Sequence, residues 1–196
     1  MPAGPLCDRC GIPVPPPLVL CSPCATRPPA YDRARSLGLY LAERGQLNPL
    51  ARAVRALKFH GQLAVARSLG RAMASLASAE PGAVVVPVPL HVDRLRERGY
   101  DQAALLAREL ARATGLPLAV RALRRIRPTP AQTALDAAAR RSNLRGAFAS
   151  SERAPARTIV LVDDVLTTGA TVDACARALR RAGAARVVVV TVGRTP

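Results

Sequence analysis

The chain has 196 residues and a formal net charge of +16, from 29 Lys+Arg against 13 Asp+Glu. Hydrophobic residues make up 49%, enough for a real core, which excludes a disordered basic tail. No apolar stretch approaches the roughly 18–20 residues of a transmembrane helix. Met1 to Leu6 show no basic region ahead of an apolar run, so no secretory signal is visible and the expected compartment is the cytoplasm. All basic residues but one are arginine; Lys58 is the only lysine. Such charge fits nucleic-acid or polyphosphate binding, or a generally basic surface born of a bias towards Arg and Ala. The five aromatics, Tyr31, Tyr40, Phe59, Tyr100 and Phe148, are thin for a base-stacking platform. Nucleic-acid binding is therefore expected to be mostly electrostatic, salt-dependent and weakly sequence-specific.

The first pattern in chain order is C-x2-C-x10-C-x2-C, formed by Cys7, Cys10, Cys21 and Cys24. Each C-x2-C pair places two thiolates on one tight knuckle, and two facing knuckles close a tetrahedral zinc site. So small a module needs a staple, and structural zinc supplies one. Disulfides are the alternative, which a cytoplasmic setting disfavours. A redox pair would be a single motif beside a βαβ unit. Four ligands leave no open position, so the zinc would be structural. Residues 12–31 carry seven prolines and read as loop. The sequence therefore divides into a zinc module over residues 1–30 and a main domain over residues 31–196. The fifth cysteine, Cys175, falls on a helix and reads as core.

Asn48-Pro49 opens a helix running to about Lys58, and a second runs from about Gln62 to Ala77. Ala83 to Val86 suits a strand buried on both faces, ended by Pro87 and Pro89. A helix follows from Asp101 to about Thr114, stopped by Gly115, then a short strand from Leu118 to Leu123. Thr158 to Val162 is the next strand and runs into Asp163-Asp164. A polar turn leads to a helix from about Ala170 to Ala182, and the last strand spans Arg186 to Val192. Strands alternating with helices predict an α/β fold, a mostly parallel sheet with helices on both faces. Ligands of such sheets bind beyond the carboxyl ends of the strands, which selects the loops after Val86 and Val162.

The second of these loops has a specific chemistry. A buried strand delivers Asp163 and Asp164; then Thr167, Thr168, Gly169, Ala170 and Thr171 offer hydroxyls, a glycine and the free N–H groups that open a helix. That is an anion cradle. The carboxylates lie too near the strand to serve the same phosphate and suit sugar hydroxyls or a metal-bound hydrate. Phosphate on one side and diol on the other describes a ribose 5-phosphate. Residues 159–171 resemble the 5-phosphoribosyl 1-pyrophosphate (PRPP) signature of type I phosphoribosyltransferases. By that resemblance Asp163 and Asp164 bind the ribose hydroxyls and take the catalytic role, while Thr167 to Thr171 hold the 5-phosphate.

The whole chain is similar to the competence protein F (ComF) family. The similarity is carried by the two knuckles, Leu57-Lys58-Phe59-His60-Gly61, Val86-Pro87-Val88-Pro89-Leu90-His91, Arg98-Gly99-Tyr100-Asp101-Gln102 and the PRPP signature. Gln132, Arg140-Arg141 and Asn143 to Phe148 extend it. It implies a type I phosphoribosyltransferase-like domain behind an N-terminal zinc ribbon. Arg94 and Arg98 then lie beside the pyrophosphate loop, suited to forked phosphate contacts or else simply solvated. His91 beside the same loop is a candidate acid or base. Residues 124–147, with Arg140, correspond to a hood loop closing over pyrophosphate, or else to an exposed basic helix. Lys58, the single lysine, falls in a family-like segment and counts as a ligand-binding residue. The implied ligand is PRPP with Mg2+, whose pyrophosphate would be displaced from C1 by an acceptor that the sequence does not name. The implied setting is natural transformation, with single-stranded DNA, a helicase-like ATPase and strand-loading proteins as partners. The alternative is an active phosphoribosyltransferase unrelated to DNA uptake. No glutaminase domain fits in the chain, so glutamine-dependent amidotransfer by this chain alone is not expected.

Overall fold

The computed structural model describes residues 4–43, 46–127, 144, 146–150 and 154–196. Its centre is a parallel sheet of β1 (Arg33–Leu39), β4 (Val84–Pro87), β7 (Thr158–Leu166) and β8 (Arg186–Arg194), in the order β1-β8-β7-β4. Two antiparallel pairs lie off this sheet: β2 (Ala42–Glu43) with β3 (Gln46–Leu47), and β5 (Leu123–Arg125) with β6 (Phe148–Ser150). The helices are α1 (Ser22–Thr26), α2 (Pro49–Phe59), α3 (Ala64–Ala77), α4 (Val92–Arg98), α5 (Gln102–Thr114) and α6 (Ala170–Arg181).

The apolar runs behave as a doubly covered sheet requires. Successive side chains of a strand point to opposite faces. Val160 and Val162 of β7, with Val188, Val190 and Val192 of β8, therefore pack against Leu57 of α2, Met73 of α3 and Leu106 and Leu110 of α5. Ile159 and Leu161, with Val187 and Val189, face the other way onto Val172, Cys175 and Leu179 of α6 and onto Phe148. Cys175 is fully buried in that second layer, and its thiol is pushed well up by burial. The helix starts are where their caps place them. Asn48 Oδ1 accepts from Ala51 N at 2.9 Å, and Asp101 Oδ1 accepts from Ala104 N at 3.0 Å.

Several elements differ from the sequence expectation, each for a local reason. Leu118 to Leu123 is not one strand. Leu118 makes a single parallel bridge to Val85, the chain turns at residues 120–121, and β5 then pairs antiparallel with β6. β1 was hidden because Arg33, Arg35 and Gly38 break its apolar alternation; as the sheet's edge strand it pairs with β8 alone. α4 buries no residue, so it offers no periodic face to detect. α1 lies inside the proline-rich segment read as loop; Pro23 sits in its first turn, where the missing N–H is not needed. β7 runs on to Leu166, so Asp163 and Asp164 lie within the strand, with Asp163 opposite Thr191 of β8. The β4 ladder stops at the Pro87–Val162 pair, and Val88 N adds one bond to Val162 O at 2.8 Å. Beyond that point the β4-side edge of β7 has no strand partner among the described residues, and the candidate site begins there.

Candidate functional site

Asp164 is buried, and its carboxylate meets the only lysine of the chain. Lys58 Nζ lies 3.2 Å from Oδ1 and 3.0 Å from Oδ2. Burial works against the Lys58 charge, but the Asp164 carboxylate outweighs it and holds the ammonium protonated above its ordinary range. Asp163 Oδ1 accepts from Asp164 N at 2.8 Å. Its burial, together with the neighbouring Asp164 charge, pushes Asp163 up to about 8. The pair thus divides into one carboxylate neutralised by lysine and one that ionises reluctantly.

The segment from Arg98 to Gln102 ties this pair to the helices around it. Gly99 takes the left-handed conformation, φ +79°, that ends α4. The Tyr100 hydroxyl donates to Leu57 O, one residue before Lys58. Asp101 caps α5 and also accepts from Leu90 N at 3.1 Å, and burial raises its pKa. Arg98 donates to Gln102 Oε1 and lies over the Phe59 ring at 5.6 Å, close enough to Lys58 to oppose its charge. Tyr100 and Gln102 therefore act as stitching between α2, α4 and α5.

The loop after β7 is held from two sides. Arg194 Nη1 donates to Leu166 O at 3.0 Å and to Thr167 O, and Thr195 N donates to Leu166 O at 3.0 Å. Gly169 has φ +78°, and an added Cβ would come within 3.3 Å of the Tyr31 hydroxyl. Thr168 Oγ1 accepts from Ala170 N at 3.4 Å, and α6 begins at Ala170. Thr167 and Thr168 are exposed, and the first turn of α6 presents the unsatisfied N–H groups that favour an anion.

The four N-terminal cysteines converge. Their sulfurs all lie within 4.8 Å of one another, with Cys10 and Cys21 at 3.6 Å. A tetrahedron with metal–sulfur arms of about 2.3 Å has edges of about 3.8 Å. The set could therefore hold a metal ion by its geometry and its donor chemistry, and all five cysteines are free of disulfides. Burial raises the Cys7 thiol, but backbone contacts from Cys10, Cys21 and Arg9 outweigh it and bring it down to about 7. Burial raises Cys21 and Cys24. The knuckle rests on the main sheet: Ala34 N donates to Arg9 O at 2.6 Å, and a Cβ on Gly11 would strike Ala34 O at 2.7 Å.

The structure brings Lys58, Asp163, Asp164 and Arg98 together at the head of the Thr167–Thr171 loop. Arg94 stands apart, 2.7 Å from Glu97 on the exposed α4. Arg140, with Gln132, Arg141 and Asn143 of the expected hood loop, lies outside the described residues. His91 Nδ1 accepts from Asp93 N at 3.3 Å and caps α4. Sequence reasoning missed Tyr31 and Arg194, which brace the loop. Their only signal was position, one just after the prolines and one at the end of the last strand.

Residues 97–196 match the family model of the phosphoribosyl transferase domain. Competence protein F of Haemophilus influenzae is 32% identical over 196 aligned residues, covering 94% of this chain and 82% of that protein. The chain belongs to the competence protein F family. Within that family, the DNA utilization protein YhgH of Salmonella typhimurium is 34% identical, covering 97% of this chain and 84% of its own. Competence protein ComFC of Bacillus subtilis is 36% identical over 106 residues, 54% of this chain and 41% of that protein. The fold class is a parallel sheet flanked by helices, with a phosphoribosyl transferase domain and an N-terminal four-cysteine cluster. Among the described residues no helix is long and apolar enough to cross a membrane.

Proposed function

We propose that this chain binds PRPP at the head of β7 and acts in natural transformation by handling incoming single-stranded DNA. One observation carries the first half. An acidic pair, Asp163 and Asp164, with Lys58 on the second member, opens into the glycine-containing loop that starts α6. Asp163 and Asp164 would hold the ribose hydroxyls, and Thr167, Thr168, Gly169, Ala170 and Thr171 the 5-phosphate. Lys58 sets the position and charge of Asp164. Arg98, held by Phe59 and Gln102, is presented towards the pyrophosphate, and Arg94 and Arg140 are the further cations assigned to it. Mg2+, entering with the pyrophosphate, supplies charge neutralisation on the leaving group. The second half is supported by the relatives' names, competence protein and DNA utilization protein, and by the net charge of +16. Its partners would be single-stranded DNA, a helicase-like ATPase and strand-loading proteins at the cytoplasmic face of the membrane. The four-cysteine cluster would hold one structural Zn2+ through Cys7, Cys10, Cys21 and Cys24.

The intact acidic pair also supports a second function, an active phosphoribosyltransferase with an acceptor other than DNA. The test is a pair of titrations on wild type and the Asp163→Ala/Asp164→Ala double variant. PRPP with Mg2+ is expected to bind wild type and to bind the variant at least about tenfold more weakly, a loss of roughly 1.4 kcal/mol. Single-stranded DNA is expected to bind both at low salt. No PRPP binding to wild type sinks the ribose-phosphate function, and no DNA binding at low salt sinks the DNA function. Pyrophosphate release with a non-DNA acceptor, in the absence of DNA binding, establishes the second function.

A further inference from the structure

Lys58 stands at an unfavourable place for a side chain that must hold one position. It is the last residue but one of α2, in the final turn, where helix ends fray and carbonyls lack intrahelical donors. Its flexible four-carbon stem keeps the ammonium on Asp164 only if the backbone beneath it stays fixed. Asp164 is 4% exposed and has no other ion-pair partner among the described residues. A buried carboxylate deprived of its cation is strongly destabilising.

The end of α2 is held from outside the helix. Ala56 O accepts from both His60 N and Gln62 N at 3.2 Å. The next carbonyl, Leu57 O, has no backbone donor among the described residues. Leu57 is 1% exposed, so bulk solvent does not serve that carbonyl. The Tyr100 hydroxyl supplies the bond from 43 residues away in sequence. Tyr100 is itself fixed on both sides. Gly99 ends α4 at φ +79°, and its N–H donates to Leu95 O at 2.8 Å. A Cβ on Gly99 would meet nothing within 4 Å, so glycine serves the turn and not a close contact. Asp101 caps α5 through Ala104 N and also holds Leu90 N at 3.1 Å. The phenol therefore projects from a junction anchored to α4, to α5 and to the segment after β4.

We infer that Tyr100 is a positioning residue, whose hydroxyl locks the last turn of α2 so that Lys58 stays against Asp164. This role deepens the ribose-phosphate function proposed above and rests on it wherever PRPP is the readout. Burial and Arg98 oppose the Lys58 charge, and Asp164 and Asp163 outweigh them. Release of the turn moves the ammonium away from both carboxylates and towards solvent, where its amine is more readily freed.

The single lysine makes the test direct, because side-chain amine acylation can occur only at Lys58. The full chain is acylated with acetic anhydride at about pH 9, below the ordinary lysine pKa of about 10.4. Peptide mass mapping separates Lys58 from the α-amino group. Tyr100→Phe is expected to raise the Lys58 acylation rate about three- to tenfold, the equivalent of one lost hydrogen bond. Asn48→Ala removes the cap at the other end of the same helix. It is expected to lower Tm and leave the Lys58 rate unchanged. PRPP affinity with Mg2+ is expected to fall by a similar factor in Tyr100→Phe, with no further fall when that change is made in Lys58→Ala. An unchanged acylation rate in Tyr100→Phe overturns the role. So does an equal rise in Asn48→Ala, which would mark general loosening of α2. A further loss of PRPP affinity in the Lys58→Ala background also overturns it, since Tyr100 would then act on its own. Failure of wild type to bind PRPP sinks the ribose-phosphate function instead, and the acylation rates still decide whether Tyr100 holds Lys58.

Discussion

At the scale of single residues, Lys58 is the informative choice. A chain that otherwise uses arginine throughout keeps lysine where a compact ammonium must reach a buried carboxylate from the end of α2. The guanidinium is longer, planar and forked, and does not fit the same space in the same way. Lys58→Arg is therefore expected to weaken PRPP binding about tenfold despite conserving charge, read by titration with Mg2+ present. Equal affinity would show that any cation suffices. Asp163 supports a prediction of a different kind. Its folded-state pKa lies near 8, above the ordinary carboxyl value of about 4. Between those values the folded protein binds more protons than the unfolded chain, so this group's contribution to stability falls as pH rises from about 4 to 8. The Asp163→Asn variant is expected to show a flatter decline of Tm with pH over that window. A decline as steep as wild type would assign the dependence to another group.

At the scale of elements, the loop after β7 and the cysteine module are one assembly. Tyr31 joins them: its carbonyl accepts from Arg9 at 3.2 Å and its hydroxyl lies under Gly169. Gly169→Ala combines a left-handed φ with a close approach to that hydroxyl. It is expected to cost about 1–2 kcal/mol of stability and to weaken PRPP binding more than DNA binding, measured by chemical denaturation and parallel titration. The cluster makes its own prediction. Cys7→Ser and Cys21→Ser are each expected to lose stoichiometric zinc by metal analysis, since three thiolates no longer close the tetrahedron. Retained zinc would refute the four-cysteine site. The loop and the knuckles were legible in sequence because their chemistry is local: ligands two residues apart, and acids, threonines and glycine in one run. Tyr31 and Arg194 were not, because their role arises only when β1 and β8 pair and bring residues far apart in sequence beside Gly169. α4 was illegible for another reason: with no buried face it leaves no periodic trace.

Across the whole molecule, the sheet order was beyond the sequence, although the alternation of strands and helices was not. A strand such as β7, apolar at every position from Ile159 to Val162, declares that both its faces are covered, but not which neighbours flank it. Charge distributes in a similar way. Many cations are consumed internally: Arg33 and Arg186 share Glu80, Arg180 pairs with Asp32, and Arg177 with Asp173. The net charge of +16 therefore resides on arginines lacking such partners, among them Arg55 and Arg98 on the Phe59 ring, at 5.9 and 5.6 Å. Phe59 is 62% exposed and adjoins Lys58. If the proposed DNA handling holds, this ring and its two guanidiniums would offer one contact for a base and its flanking phosphates. Single-stranded DNA binding is expected to weaken linearly in log affinity with log salt. Arg55→Ala should lower that slope by about 0.7, one phosphate contact on a single strand. Phe59→Ala should weaken binding by about 1–3 kcal/mol at fixed salt, with little change in slope, because stacking releases no counterions. An unchanged affinity in both variants would place the DNA on another face and leave the platform to serve the small ligand alone.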